Sequence, residues 1–230
     1  MNRKMKWGIL FLCAAIALNG CKTASNATKG GIIGGTGGAL IGAGIGALTG
    51  KSNGAAIGAA IGGTVGTGAG VLIGKKMDKQ KAELEKIEGA QVESITDANS
   101  LQAIKVTFDS GILFATGKSN LSNTSKEALT RFATTLQETP ETDVTIYGHT
   151  DNTGSRQLNV QLSKERASAV ANFLNTKGVD MSRMTTEGKA FDEPVADNST
   201  AEGRSKNRRV EIFITANQQM INKAEQGTLE

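Results

Sequence analysis

Histidine and cysteine, the side chains that most often bind zinc or act as nucleophiles, are almost missing: His149, Cys13 and Cys21 are the full supply. A metal site needs several converging ligands, and His149 with Asp151 is too few. No metal or cofactor is expected, and the chain reads as a binding module rather than an enzyme. Excess positive charge is also missing where a nucleic acid would need it. The net +4 over 230 residues divides unevenly. Residues 1–20 carry three basic groups and no acid, residues 21–89 carry eight basic and four acidic, and residues 90–230 carry 15 basic and 18 acidic. The last stretch has the composition of a globular domain and is mildly acidic, which argues against nucleic-acid binding.

The two cysteines lie at the start. Cys13 sits in the apolar run Trp7–Leu18 behind the basic Met1–Lys6, the pattern of a secretory signal and too short to span a bilayer. The run ends in Leu18-Asn19-Gly20-Cys21, which resembles the lipobox of bacterial lipoproteins. That resemblance implies a signal peptide over 1–20, an acylated Cys21 and a lipidated linker over 21–29. A plain signal peptide followed by an unrelated cysteine is the alternative. With Cys21 acylated, no disulfide can form.

Glycine is abundant in one place only. Residues 30–74 hold 18 of the 29 glycines, and every fourth position from Gly30 to Gly74 is glycine without a break. The fillers are Ile, Leu, Ala, Val and Thr, with Lys51 the one charge. Residues four apart share a helix face, and small ones there let two backbones approach closely. Ile32–Gly50 and Gly54–Gly74 are each near the ~20 residues that cross a hydrocarbon core of about 30 Å. Lys51-Ser52-Asn53 would be the turn of a helical hairpin. The expectation is a glycine-zipper membrane segment over 30–74, able to form homo-oligomers, with a disordered Gly/Ala tether as the alternative. Residues 75–89 read as a charged helical linker.

From Ala90 the pattern is that of a soluble α/β domain, expected over 90–217, with 218–230 as a tail. Ile104–Phe108 alternates like a strand. Asn123 or Thr124 can cap a helix through Glu138, which Pro140 follows. Val144–Tyr147 is a second strand, and the turn Gly148–Gly154 leads to a helix over 155–177 closed by Gly178. Met184–Glu187, Thr200–Lys206 and Val210–Thr215 follow as strand, helix and strand. This βαβαβ order, with a late helix and strand, predicts a two-layer α/β sandwich.

The chemically interesting residues cluster after the second strand. Asp151 lies in the turn, and Asn159 and Arg166 sit seven residues apart on one helix face. A carboxylate, an amide and a guanidinium around one groove match a zwitterion, the Arg taking a carboxylate and the Asp an ammonium. The simpler reading of the spacing has Asp151 capping the helix and Arg166 in a surface ion pair. His149 reads as a structural or rim residue.

The stretches GHTDNTGSRQLNVQLSKERASAV, GVDMSRMTTEG and NSTAEGRSKNRRVEI, in that order, closely resemble the OmpA C-terminal domain family over roughly 92–215. With the lipobox and the glycine period, the whole chain resembles an outer-membrane lipoprotein. The resemblance implies non-covalent binding of peptidoglycan through the diaminopimelate of its stem peptide, and a lipid-anchored protein with its C-terminal domain in the periplasm. It implies that Asp151 holds the ligand ammonium and Arg166 its carboxylate, with Asp109, Thr153, Asn159 and Arg208 lining the pocket. The family pattern is departed from at Asp109-Ser110-Gly111. A zipper that assembles an oligomer or pore, positioned by wall binding, is the competing expectation.

Overall fold

The protein is described by a computed structural model over residues 66–115 and 117–230. The signal segment, Cys21 and the glycine pattern up to Gly62 lie outside the described residues.

The elements run α1 (Thr67–Leu84), β1 (Ala90–Thr96), β2 (Gln102–Asp109), α2 (Ser110–Leu113), α3 (Asn123–Glu138), β3 (Thr142–His149), α4 (Arg156–Thr176), a single 3₁₀ turn (Met181–Arg183), β4 (Met184–Ala190), α5 (Ala201–Asn207), β5 (Arg209–Ala216) and α6 (Gln218–Glu225). The sheet order is β1-β2-β5-β3-β4. All neighbours are antiparallel except β3 and β4, which the α4 crossover makes parallel. Alternation along the strands sends Val106, Phe108, Val144, Ile146, Val210, Ile212 and Ile214 into one core with the helices. Phe108 meets Phe132 of α3 edge-on, with ring centroids 6.1 Å apart. This is the expected two-layer α/β sandwich.

Several boundaries differ from the sequence expectation. Ser122, one residue before Asn123, caps α3 by accepting from the Ser125 N–H at 3.1 Å. β1 was not foreseen, because as an edge strand it alternates only weakly between half-buried and exposed residues. The expected tail contains α6, with Met220, Ile221 and Ala224 buried.

The largest difference is at the front. A zipper ending at Gly74 and a separate linker from Lys75 were expected, whereas α1 is one helix running through both. It buries Ala69, Ile73, Met77 and Leu84 in the domain core. Burying Ile73, Met77 and Leu84 contributes roughly 1.5–3 kcal/mol each, enough to dock a helix whose composition alone would not favour it. Among the described residues, no helix is long and apolar enough to cross a membrane.

Two glycines fix where α4 crosses the sheet. A Cβ on Gly148 of β3 would collide with the Ser163 carbonyl oxygen, and one on Gly188 of β4 with the Lys164 amide nitrogen. Strand and helix therefore touch backbone to backbone, one turn before Arg166. Ser163 Oγ completes the contact by accepting from the Ala190 N–H at 3.1 Å.

Candidate functional site

The turn after β3 is built by its own polar side chains. Asp151 Oδ1 accepts from the Thr153 N–H at 2.9 Å, an Asx turn, and Gly154 takes φ +87°. Ser155 then caps α4 by accepting from the Leu158 N–H. Asp151 does not cap the helix, so the simpler reading of its role gives way. Asn159 is buried, and its amide donates to the carbonyls of Thr153 at 2.9 Å and Ser155 at 3.3 Å. Both amide hydrogens are thereby spent on holding the turn, and Thr153 contributes its backbone while its side chain is exposed.

Arg166 is 2% exposed, which rules out a surface ion pair. Its Nε donates to the Lys118 carbonyl at 3.1 Å, and its guanidinium carbon lies 5.3 Å from the Phe114 ring centroid. Its Nη1 is buried with no hydrogen-bond partner among the described residues. Leaving a charged donor unmade in a buried place is costly, so it marks a group waiting for an acceptor. Burial, and then the charge of Arg208, press the guanidinium below its usual pKa, while Asp151 opposes them. The three charges thus act on one another.

Arg208, at the junction of α5 and β5, reaches Asp151: its Nη1 donates to Asp151 Oδ2 at 2.7 Å. Burial pushes the Asp151 carboxyl up, but the Arg208 hydrogen bond, the Thr153 bonds and the Arg208 charge together bring it below the usual carboxylate range. Asp109 ends β2 opposite Arg209 in the ladder. Its side chain does not cap α2 and has no hydrogen bond or ion pair among the described residues. The structure therefore brings Asp151, Thr153, Asn159, Arg166 and Arg208 together and leaves Asp109 outside their contacts. Phe114 and the Lys118 carbonyl complete the Arg166 pocket; the sequence offered no signal for either, because both act across a connection without a repeating pattern.

On the opposite face of the sheet lies a second charged cluster. Glu211 is 6% exposed and takes Arg209 Nε at 3.0 Å and Lys105 Nζ at 3.2 Å on the same oxygen. His149 is buried, with Nε2 3.3 Å from the other Glu211 oxygen, outside hydrogen-bond alignment. Burial raises the Glu211 pKa, but His149 and Arg209 overcome it and hold the carboxyl down to about 2. His149 thus packs against a structural cluster of charges centred on Glu211. Among the described residues, no group of three His, Cys, Asp or Glu side chains could hold a metal.

The OmpA family model matches residues 113–208, and the YMGG-like Gly-zipper model matches residues 1–78. "Probable lipoprotein YiaD" of Escherichia coli is 41% identical over 144 residues, covering 62% of this chain and 64% of that protein. "Peptidoglycan-binding protein ArfA" of Mycobacterium tuberculosis is 41% identical over 117 residues, 51% of this chain and 36% of that one. The chain thus spans less than two thirds of the length of these curated relatives. Among solved structures, the cell wall anchor of the T6SS from Pseudomonas aeruginosa is 33% identical with a TM-score of 0.52, covering 61% of this chain and 96% of that one.

Proposed function

Residues 113–208 belong to the OmpA family, and from that premise we propose that the chain binds peptidoglycan non-covalently and ties the cell envelope to the wall. The observation that carries this reading is the buried Arg166 with an unpartnered Nη1 beside an ionised Asp151. A fixed cation donor and a fixed anion in one pocket suit a ligand end with a carboxylate and an ammonium. The D-centre of diaminopimelate in a stem peptide has both. The names of ArfA and of the Pseudomonas wall anchor support the same ligand class. A carboxylate held ionised by Arg208 is a weak base, so the chemistry favours binding over catalysis.

The anchor is part of the proposal. Cys21 would carry the acyl chains that place the protein in the outer membrane with the domain in the periplasm, in keeping with the lipoprotein relative. Residues before Thr67 would add a zipper contact between copies. Mass spectrometry of the mature protein tests the first, through lipid on Cys21. Detergent-stable oligomers that vanish when Gly42, Gly46, Gly58 and Gly62 become Leu test the second.

Cosedimentation of the full chain with purified sacculi tests the site. Asp151→Ala and Arg166→Ala should each weaken binding by roughly 30- to several thousand-fold, the cost of truncating one partner of a buried charge-assisted contact. Near-normal binding by both variants, with unchanged circular dichroism, would refute the assignment.

A further inference from the structure

Asp151 is not free to receive a ligand. One oxygen is fixed by the Thr153 N–H and the other by Arg208. The carboxylate is buried and its turn is braced by Asn159, so it cannot move away. Arg208 can. Its backbone is pinned, with its N–H on the Arg204 carbonyl and its own carbonyl accepting from the Ser110 N–H at 2.8 Å, but its side chain is 37% exposed. Arg166 is the opposite, deep and held by Lys118 and Phe114. Only Arg208 pairs with Asp151, while Arg166 lies near enough for its guanidinium to feel the charges of both.

Resting on the wall-binding reading above, we infer that Arg208 is the partner the ligand displaces: it holds Asp151 in the unliganded domain and passes to the ligand carboxylate when the ligand ammonium takes its place. The exchange keeps Asp151 paired throughout and gives Arg166 the acceptor it lacks. Before binding, Asp151 pairs with Arg208 and Arg166 has an unused donor. Afterwards Asp151 pairs with the ammonium, while both arginines share the incoming carboxylate. A ligand bringing only an ammonium would evict Arg208 and leave two arginines and the ammonium around a single carboxylate. Arg208 thereby makes the site reject amine-only ends, a selectivity that Asp151 alone could not have. In this role Arg208 is a selectivity residue that works by competing for Asp151.

Two probes with the same spacing between their amines separate these cases: meso-diaminopimelate and cadaverine, which is the same diamine without either carboxylate. Calorimetric titration of the full chain in detergent should give at least about a 30-fold preference for diaminopimelate, the low end for an interaction between charged partners. Arg208→Gln should weaken diaminopimelate by about tenfold or more while cadaverine binds better, collapsing the ratio. An unchanged ratio would overturn the exchange while leaving wall binding intact; diaminopimelate failing to bind the wild type would overturn both. The carboxyl resonance of Asp151 gives a readout without ligand. Its titration should move upward in Arg208→Gln, because burial is then offset only by the Thr153 bonds, and a titration that stays in place would show that Arg208 does not hold Asp151.

Discussion

Two ion clusters lie at the same end of the sheet, and they are built on opposite rules. Around Glu211 the carboxylate is closed off by cations: two fix one oxygen, His149 lies against the other with neither ring nitrogen hydrogen-bonded, and Arg209 also reaches the Glu193 carbonyl at 3.1 Å. Around Asp151 they are left open: Arg166 keeps a buried donor without an acceptor, and the Arg208 partner is one third exposed. Asp97 supplies the control, a buried carboxyl with backbone hydrogen bonds but no cation. Burial raises its pKa to about 6 despite the Leu101 and Asn99 bonds, where the Glu211 carboxyl is held down to about 2. Burial alone therefore does not decide ionisation; the number of cations that answer it does. At the Asp151 cluster it is an acceptor for Arg166, not a cation, that has been left short.

Breaking the closed cluster should have the largest effect on stability. Glu211→Gln leaves Arg209 and Lys105 without their shared anion, and denaturant unfolding should show a loss of about 3–5 kcal/mol. The wild type should mirror this in acid. Because the Glu211 pKa is depressed, its stabilisation is present above the ordinary carboxylate value and is lost as pH falls toward about 2.

Asp97 has the opposite sign. Its pKa is raised, so its contribution is most favourable below about pH 4 and is lost as pH rises through about 6. The change is at most about 3 kcal/mol, and Asp97→Asn should remove this slope from the stability–pH profile while keeping both accepted hydrogen bonds. A slope that survives the substitution would assign it to another group.

The open cluster should respond differently. Arg166→Met removes a buried, incompletely bonded charge, so unfolding free energy should stay within about 1 kcal/mol of wild type while sacculus binding is lost. A large destabilisation would mean that Arg166 is structural, and the contrast between the clusters would fail. The smallest effect is expected at Lys164, exposed on the outer side of α4, where Lys164→Ala should change binding and stability by under about 1 kcal/mol.

How much of this was legible in the sequence depends on how local each feature is. The strands around Val106, Ile146 and Ile212 and the apolar face of α3 were legible, because alternation and helical spacing are local patterns. Asp151 and Arg166 were legible from motif order. What holds them was not: Arg166 bonds a carbonyl 48 residues away, and Asp151 a guanidinium 57 residues away. That the Asn159 amide nitrogen braces the turn is visible only in the folded arrangement. The unity of α1 was hidden by the glycine period and by Lys75 and Lys76, which looked like an end. Burial of Ile73 on one side of that pair and Met77 on the other carries the helix through.

That helix has a mechanical meaning. Its 18 residues extend for about 27 Å at 1.5 Å per residue, and its inner side is locked into the core by Ile73, Met77 and Leu84. The stretch matching the zipper family runs to residue 78, well inside this helix. A pull arriving from residues before Thr67 therefore meets no slack hinge between helix and sheet. It enters as shear along a packed interface, which must slide several buried side chains at once before it yields. On the proposed function, a domain gripping the wall through Asp151 and Arg166 would be joined to the rest of the chain by a strut, and tension between envelope layers would be carried through its hydrophobic core.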